Sequence, residues 1–555
     1  MKKIFFYLLF IPFLSSGQES SNMTLLSNLD LPNLPSRYGA EYSDCWGFRH
    51  ANGTEIAIIG GIEDIFFVNI TSPANPVIIY THHVQNVAGG TNQSLWRDFK
   101  SYQNYIYAAA DEGTSGLLVF DLSQVPASVT MVTQTNAFWN RAHNIFIDEQ
   151  NHRLYGAGTN SVNNGLVILD LANPAAPTLE ANVPLNTMGG GYVHDVYVRD
   201  NIAYCSHGSL SKIQIYDFNN LPTITVIGSI ENYPDAGYNH SSWLNSEGTM
   251  LAMCDETHGS DIKLVDVTDP ENISANDFHT FYSELLGPDV PGSSIPHNPF
   301  ILGDLVYISY YHDGVQVFDI SDPDNIVSFA YYDTYPDNVD YNDYFGCWGV
   351  YPFLQSGNII ASDMTYGLFV LHLTNPPLGI TFLSFDAFRE NKSVRLKWVV
   401  ADATFGNTFD VKRSLDGGIT FQTIGNVALT EGKSNYEFTD QNLAGSAGYV
   451  YRIDFVQSDG TKKSSPIRFV RTDPGEKIFN IVNPVTSSLI VNPLKPVESV
   501  NLSVFDTEGR MVWHQYEASL AGASAFALNG IPAGQYVLVM NWEGGSLNQI
   551  IQKIN

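Results

Sequence analysis

Short apolar runs separated by turn residues recur along most of the chain. Each recurrence is an apolar run, an acidic or polar residue, another apolar residue, and then a turn that usually contains proline. β-branched and aromatic residues fill the runs, while Gly, Asn, Asp and Pro separate them, as is typical of short strands. Seven copies recur at intervals of roughly 45–55 residues, at 66–76, 117–126, 166–177, 213–222, 262–270, 315–323 and 368–377.

Each copy follows two shorter strand-like runs and precedes a third. Around the third copy these runs are 143–148, 153–159 and 178–183. Four short antiparallel strands at this period form one blade of a β-propeller, so the pattern predicts seven blades. A linear solenoid is the structural alternative. The last copy lacks an outer strand, and we expect residues 22–32, which precede the first copy, to supply it and close the ring.

Beyond Asn375-Pro376-Pro377, which we interpret as a linker, the predicted strands are longer. Residues 380–472 alternate in a way that predicts a seven-strand sandwich with Trp398 in its core. Residues 478–555 predict a compact antiparallel sandwich with Gly509 and Gly534 in turns. The predicted fold class is therefore all-β, with the propeller over 18–376 and two smaller β domains after it.

The N-terminus predicts export. Lys2 and Lys3 precede a short apolar segment, and small residues follow it before Gln18. This order is that of a signal peptide over residues 1–17. A buried strand or a membrane anchor is the alternative interpretation. No later apolar run reaches about 18 residues, so we expect no transmembrane span in the mature chain.

Charge and cysteine content narrow the classes of partner. The chain has 57 acidic and 27 basic residues, a formal net charge of −30. This balance excludes broad electrostatic binding to nucleic acid or anionic lipid, which needs cationic surface. The four cysteines are too few for a disulfide-dense scaffold. We expect buried free thiols, with a Cys45–Cys347 bond as the alternative, because the alignment places these two at matching positions in the first and last copies.

Candidate chemistry appears when the copies are aligned at the start of the first strand. Four consecutive copies place a histidine there, whereas the others have tryptophan or an Arg-Asp pair. Because the ends of second strands lie on the same face of a blade, their polar residues should join this set at one channel mouth. The metal-ligand candidates are His143, His194, His240 and His297, and the ligand-binding candidates are Trp46, Arg97, Asp98, Asp111, Glu112, His312, Trp348 and Asp363.

Three interpretations of the histidines remain open. Imidazole and carboxylate groups together suit a transition metal such as Zn, Cu, Fe, Mn or Ni. The same ring could hold substrate oxygens, with histidine as a general base and Arg97 as an anion clamp. Alternatively, each ring is structural and bonds a carbonyl of the neighbouring blade, as expected for a residue that recurs by duplication.

A second candidate ion site lies in the segment 335–346. Asp337, Asp340 and Asp343 offer hard oxygen ligands of the kind that Ca²⁺ takes. The spacing differs from that of an EF-hand loop, and no glutamate closes it. We therefore favour a solvated acidic loop over a calcium site.

The repeats resemble the LVIVD-repeat propellers of the choice-of-anchor B family of secreted bacterial proteins. The likeness covers about residues 22–376 and implies fold and export, but no reaction. Residues 380–472 resemble the fibronectin type III-like spacer modules of secreted Bacteroidetes proteins. The segments that carry the likeness to the choice-of-anchor B family are 94–100, 142–148, 295–300, 307–323 and 346–363.

Residues 478–555 resemble a type IX secretion C-terminal sorting domain. The matching pieces are 483–491, 504–512, 528–540 and 552–555. This resemblance implies a partner, the type IX secretion machinery. It also implies a location outside the cell or on the outer surface of a Gram-negative bacterium.

Three functions fit these features. The first is a secreted or cell-surface protein that binds a glycan, peptide or partner protein at the channel mouth. The second is a metal-dependent hydrolase or lyase that acts on polysaccharide through the histidine ring. The third is a structural surface protein. We favour the first, a binding protein, and leave open whether the protein is also an enzyme.

Overall fold

The computed structural model describes residues 18–554 with internal gaps. Three expectations lie outside the described residues: the signal peptide at 1–17, the linker at 375–377 and the turn at Gly509. The gaps are 88–92, 163–164, 186–190, 200, 222, 247, 289–292, 375–380, 391–392, 402–407, 416–419, 431–432, 442, 444–447, 457–461, 466, 472–478, 484, 507–510, 529 and 543–544.

The all-β prediction is confirmed. In the described residues, regular structure consists of strands and two single turns of 3₁₀ helix at Ala275–Asp277 and Pro323–Asn325. Among these residues no helix has the length and apolar character needed to cross a bilayer.

Seven antiparallel sheets, numbered 1 to 7 by their first strands, lie between residues 20 and 373. Sheets 1 to 3 consist of Tyr42–Arg49, Glu55–Gly61, Asp64–Asn69 and Val77–His83; Arg97–Tyr102, Tyr105–Ala110, Leu117–Asp121 and Thr130–Thr135; and Asn144–Asp148, Arg153–Ala157, Gly165–Asp170 and Thr178–Pro184. Sheets 4 and 5 consist of Asp195–Arg199, Ile202–Ser206, Ile213–Asn220 and Thr223–Ile230; and Asn239–Leu244, Met250–Asp255, Ile262–Asp266 and Phe278–Phe281. Sheet 6 consists of Asn298–Leu302, Leu305–Ser309, Val315–Asp319 and Val327–Tyr332, with Ser20–Ser21 at its outer edge; sheet 7 consists of Cys347–Tyr351, Asn358–Asp363 and Gly367–Leu373, with Met23–Leu29 at its outer edge.

The sheets form a closed ring, which makes this region a β-propeller. The first strand of each sheet contacts the first strand of the next, and the first strand of sheet 7 contacts that of sheet 1. The N-terminal strand Met23–Leu29 pairs antiparallel with Gly367–Leu373 and is the outer strand of sheet 7. Ser20–Ser21 pairs with Val327–Tyr332 in sheet 6, a pairing that the repeat pattern does not predict.

Burial follows position within each sheet. Every residue of Glu55–Gly61, a second strand, is buried, because neighbouring sheets cover both of its faces. Such strands have continuous rather than alternating apolar character. The outer strand Thr178–Pro184 exposes all but two of its residues. All four cysteines are buried and free, including Cys45 and Cys347.

Two further β domains follow, each with two sheets around one core. The strands of the first are Thr381–Glu390, Ser393–Ala401, Thr408–Ser414, Gln422–Ala428, Asn435–Asp440, Gly448–Val456, Lys462–Ser464 and Arg468–Arg471. Its core contains Trp398, packed against Phe409 and Tyr436. The strands of the second are Phe479–Ile481, Ser488–Pro493, Val497–Phe505, Met511–Leu520, Ser524–Ala527, Gly534–Trp542 and Gly545–Lys553. Gly534 begins a strand and is not in a turn, so that expectation was wrong.

Candidate metal centre and ligand-binding mouth

A β-bulge in several first strands determines which side chain reaches the mouth of the channel. His240 and Trp348 each lie at a bulge, where two residues of the first strand oppose one of the second. In sheet 1 the corresponding bulge falls earlier, between Tyr42 and Cys45. Trp46 therefore lies three residues deeper along the channel than Trp348. The alignment of Trp46 with Trp348, and of Cys45 with Cys347, was wrong for this reason.

With this register, the first strands and the residues just before them form three successive layers along the channel. The mouth layer consists of His143, His194, His240, His297 and Trp348. The polar layer, one residue further along each strand, consists of Asp44, Asp98, Asn144, Asp195, Ser241 and Asn298. The aromatic layer, two residues beyond the polar layer, consists of Trp46, Phe146, Tyr197, Trp243, Phe300 and Tyr351.

The four predicted histidines come together as a continuous stack. Ring centroids of His143 and His194 are 4.0 Å apart, and those of His194 and His240 are 4.3 Å apart. His240 and His297 follow at 4.2 Å. Trp348 continues the stack at 4.8 Å from His297. Consecutive sheets thus place four imidazoles side by side at one mouth, as the repeat alignment predicts.

Hydrogen bonds at both ends of the histidine stack define which nitrogen is free. The Nδ1–H of His297 donates to the backbone carbonyl of Trp348 at 2.6 Å. The Nδ1–H of His143 donates to the Asp111 carboxylate at 3.0 Å. In a neutral imidazole the other nitrogen then has a lone pair. The Nε2 of His297 is buried and has no hydrogen-bond partner among the described residues.

Glu256, at the end of the second strand of sheet 5, faces two of these imidazoles. Its carboxylate oxygens lie 3.9 Å from the Nε2 atoms of His240 and His297. The hydroxyl of Tyr311 donates to the same carboxylate at 2.5 Å. Tyr311 has a φ of +33°, which a bulky side chain adopts at a cost of about 1–3 kcal/mol. The fold thus accepts backbone strain where it orients Glu256.

The electrostatics of the stack keep most of these imidazoles neutral. Burial lowers the pKa of His194 and His240 well below the usual value, and the neighbouring histidines lower it further. Burial lowers the pKa of His297 to about 3. His143 differs: burial opposes its charge, but the bond to Asp111 raises its pKa overall. Burial also raises the pKa of Glu256, against the effect of the Tyr311 hydroxyl.

Two overlapping sets of ligand atoms lie close enough to hold one ion. They are His143, His194 and His240, and His240, Glu256 and His297, with ligand atoms within 4.8 Å of one another in each set. Two atoms bound to one Zn²⁺ at about 2.1 Å each are at most about 4.2 Å apart. The second set meets this limit at both of its 3.9 Å contacts. Neutral imidazole and carboxylate groups are ligands that Zn and neighbouring transition metals take.

The polar layer contains buried charges that compensate one another. Lys100 Nζ donates to Asp98 Oδ1 at 2.6 Å and lies 4.6 Å from the Trp46 ring. Burial raises the pKa of Asp44 well above its usual value, and Asp98 raises it further. Gly349 completes this layer, because a Cβ there would lie 2.5 Å from the Asp44 carboxylate. The layers enclose a cavity of about 40 Å³, enough for a few waters.

The aromatic layer packs beneath this cavity. Phe146 and Tyr197 centroids are 5.1 Å apart, and Tyr197 and Trp243 follow at 5.0 Å. Trp243 and Phe300 are 4.8 Å apart. Edge-on and tilted contacts of this kind are the favoured arrangements of aromatic pairs. This layer therefore packs the channel below the mouth.

Several predicted ligand-binding residues have internal partners instead of facing the mouth. The Arg97 guanidinium is buried and donates to the carbonyls of Gly61 and Ile62. The indole N–H of Trp46 donates to Ser101 at 3.0 Å. The structure does not bring Trp46 or Arg97 to the histidine stack.

Asp363 and His312 are also internal. Asp363 is fully buried and accepts hydrogen bonds from the Thr334 hydroxyl and from two backbone amides of its own turn. His312 donates from Nε2 to the Asn342 carbonyl at 3.1 Å. Both side chains thus bond internal groups near the mouth, although the Nδ1 of His312 is buried without a hydrogen-bond partner among the described residues.

Asp111 and Glu112 lie at the mouth and remain partly exposed. Asp111 bonds His143, as described above. Glu112 forms an ion pair with Arg37 at 2.5 Å and accepts from the Leu95 amide. These carboxylates are oxygen acceptors at the rim of the channel.

Sequence reasoning missed a collar of aromatic side chains over the histidine stack. Tyr192 and Tyr238 contact the His194 ring at 6.2 and 5.2 Å between centroids. Trp96 stacks on Trp348 at 4.4 Å. Tyr344 reaches the stack through Tyr311, 5.4 Å away. A signal was present, since a tyrosine stands two residues before both His194 and His240.

The acidic loop does not gather its carboxylates. Asp337 accepts from the Tyr366 hydroxyl at 2.5 Å, and Asp340 accepts from the amide of Asn342. Asp340 and Asp343 are solvent-exposed. Within the described ranges, the groups able to hold an ion are the two histidine sets, and this loop is in neither.

Comparison with known proteins gives little information beyond the fold. No protein-family model matches the chain, and no curated protein matches it. Among solved structures it is similar to the β-propeller domain of Cps50 (Swd1) from Myceliophteria thermophila, with 10% identity, TM-score 0.43, 63% of this chain and all of that one covered. It is also similar to a "putative 6-phosphogluconolactonase" from Bacteroides fragilis, with 10% identity, TM-score 0.39, and 66% and 92% covered. At these scores neither likeness carries an argument about function.

Proposed function

We propose that the chain is an exported seven-bladed β-propeller protein that binds an extracellular glycan at its channel mouth. The observation that carries this proposal is the aromatic collar, with Tyr192 39% and Tyr344 40% exposed beside the buried histidine stack. The seven sheets support the blade count.

A glycan fits the mouth by shape and by charge. The apolar faces of sugar rings stack on aromatic side chains, and the carboxylates of Asp111 and Glu112 accept from sugar hydroxyls. The strong net negative charge of −30 disfavours anionic polymers. A neutral or amino-bearing sugar is therefore the ligand class, ahead of a peptide or a partner protein.

A glycan array with the mature chain tests this proposal. Tyr192→Ala combined with Tyr238→Ala should weaken binding of any captured glycan at least tenfold, because both rings border the stack. Tyr282→Ala is the matched control, since Tyr282 is 68% exposed and follows an outer strand. Equal loss in the control, or capture of peptides alone, would overturn the glycan assignment.

The remaining domains support export and placement at the surface. We propose residues 1–17 as a signal peptide, 380–472 as a fibronectin type III-like spacer and 478–555 as a type IX sorting domain. The resemblances to the LVIVD-repeat, choice-of-anchor B and sorting-domain families support this. Deletion of 478–555 should retain the protein in the periplasm of a Gram-negative host. Fractionation that finds the truncated chain outside the cell would contradict it.

A second candidate function is a metal-dependent hydrolase or lyase acting on polysaccharide. The observation that favours it is Glu256, a partly exposed carboxylate beside two neutral imidazoles. Together with the two imidazoles, such a carboxylate could hold the ion that this reaction needs. The test is product formation from a bound glycan. If the wild type forms product and Glu256→Gln binds the glycan without forming product, the protein is an enzyme rather than only a binding protein.

A further inference from the structure

We propose that the channel mouth contains a transition-metal site formed by His240, His297 and Glu256. The site forms the floor beneath the aromatic collar and goes beyond glycan binding, since it needs no organic ligand. Zn²⁺ is the ion that two imidazoles and one carboxylate suit best, with a fourth position left for water or a ligand.

The first argument is the unsatisfied nitrogen of His297. The residue is 1% exposed, and its Nδ1–H already donates to the Trp348 carbonyl. The Nε2 lone pair then has no partner among the described residues. Leaving a buried acceptor unpaired costs about 1–3 kcal/mol, so a native structure normally supplies a partner. A bound ion would be that partner.

The second argument is convergence. His240 and His297 come from adjacent sheets, and Glu256 follows the second strand of sheet 5. Both Nε2 atoms lie 3.9 Å from the Glu256 carboxylate. This is too long for a direct hydrogen bond and within the span that one bound ion bridges. The side chains of His240, Glu256 and His297 are 7%, 18% and 2% exposed. The site is therefore largely buried, and an ion from solvent would reach it on the side where Glu256 is exposed.

The third argument is outer-sphere support. The Trp348 carbonyl fixes the tautomer of His297, and the Tyr311 hydroxyl orients Glu256 from a strained backbone. Metal-binding histidines and carboxylates normally have such partners, which hold the ligand in place. Packing alone would not need them, because a phenylalanine would fill the same stack.

The alternative set, His143 with His194 and His240, is less favourable. The bond from His143 to Asp111 does not separate the two sets, because it fixes the tautomer of His143 as the Trp348 carbonyl does for His297. What separates the sets is that the alternative one has no carboxylate ligand to neutralise the charge of the ion.

The test is zinc binding by the mature full chain, produced without a polyhistidine tag and stripped with EDTA. Isothermal titration with Zn²⁺ should give one ion per chain. His297→Phe and Glu256→Gln should each weaken affinity at least 100-fold, and His240→Phe should abolish binding. Phenylalanine retains the ring stack, and glutamine retains the bond from Tyr311, so both variants should stay folded by circular dichroism.

Two further variants make the result decisive. His82→Phe is the matched control, because this buried histidine makes an edge-on contact with Phe120 and lies on the outer strand of sheet 1; the zinc affinity of this variant should equal that of the wild type. His143→Phe should weaken affinity by less than tenfold. A 100-fold loss in His143→Phe without loss in Glu256→Gln would overturn the assignment in favour of the other set. Absence of zinc binding by the folded wild type would overturn it altogether.

Discussion

The mouth layer and the aromatic layer are two stacks of rings carried three residues apart by the same strands. In the aromatic layer Phe146, Tyr197 and Trp243 pack at 5.0–5.1 Å between centroids. In the mouth layer imidazoles pack at 4.0–4.3 Å, closer than the phenyl and indole rings beneath them. Both stacks follow from repetition of one strand around a ring.

The difference between the layers lies in what the rings require. Hydrocarbon rings are satisfied by contact alone, whereas a buried imidazole has two polar nitrogens that need partners. The structural interpretation, a ring bonded to the neighbouring backbone, holds for His297, and His194 and His240 interact in the same way with the backbone of the next histidine, but this accounts for only one nitrogen of each ring. Repetition therefore explains one nitrogen of each of these imidazoles, but not the second.

The largest expected effect comes from Lys100, a buried cation that lies beside the Trp46 ring of the aromatic layer and pairs with Asp98 of the polar layer. Lys100→Met removes the cation that pairs with Asp98 and lowers the pKa of the nearby Asp44. Breaking a buried pair costs about 3–5 kcal/mol, so the free energy of unfolding should fall by that much at pH 8. Zinc affinity should change little.

The pH dependence of this variant has a definite sign. Asp44 has a folded-state pKa above its unfolded value, so its contribution to stability declines as pH rises through that interval. Without Lys100 the pKa of Asp44 rises further, and the deficit relative to wild type should be smaller at pH 4 than at pH 8. Urea unfolding at both values measures it; a deficit independent of pH would contradict the account.

Phe300→Ala tests the aromatic layer directly. Phe300 is buried and packs against Trp243 at 4.8 Å. Truncation of a buried phenylalanine costs about 3–5 kcal/mol, and the partly enclosed site places this one near the lower value. Thermal unfolding should shift while zinc affinity stays within threefold. Loss of zinc binding by the folded variant would show that the layers are not independent.

Tyr311→Phe should have a smaller effect and act through the mouth. It removes only the hydroxyl that orients Glu256. Loss of such a partner weakens metal affinity roughly 10–100-fold, and we expect the lower end because the ring remains. The absorption spectrum of the Co²⁺ form should also change. An unchanged spectrum and affinity would mean that Tyr311 has only a packing role.

The smallest stability effect should come from the collar. Tyr192→Ala changes a side chain that is 39% exposed, and substitutions at such positions usually stay within about 0.5 kcal/mol. Its effect should appear in glycan binding instead. A large loss of stability would place Tyr192 in the core of the mouth rather than in a ligand-binding collar.

The sequence predicts the repeated architecture better than it predicts the site. Apolar runs at a fixed period predict the strands. The spare strand before the first copy predicts closure of the ring, and Met23–Leu29 does pair with Gly367–Leu373. Because the bulge between Tyr42 and Cys45 leaves no mark on hydrophobic patterning, Trp46 was assigned to the wrong layer. Repeats align chemically similar residues, but local bulges decide which of them face the channel.

The composition of the site is predictable only in part. The four histidines recur at one register, and so their convergence follows from the repeat. The pairing of Glu256 with Tyr311 spans two sheets and involves a residue at positive φ, which no sequence period shows. Arg97 shows that a charged residue can be assigned a function that it does not have. Its charge suggests an anion clamp, yet its guanidinium donates to the backbone carbonyls of Gly61 and Ile62.

The most direct test of the central claim is anomalous diffraction at the zinc edge from crystals of the mature chain grown with Zn²⁺. The account predicts one strong peak about 2.0–2.2 Å from the Nε2 atoms of His240 and His297 and from a carboxylate oxygen of Glu256. A peak bound by His143 and His194 instead would contradict the account. So would the absence of any peak at the mouth in crystals grown with excess Zn²⁺.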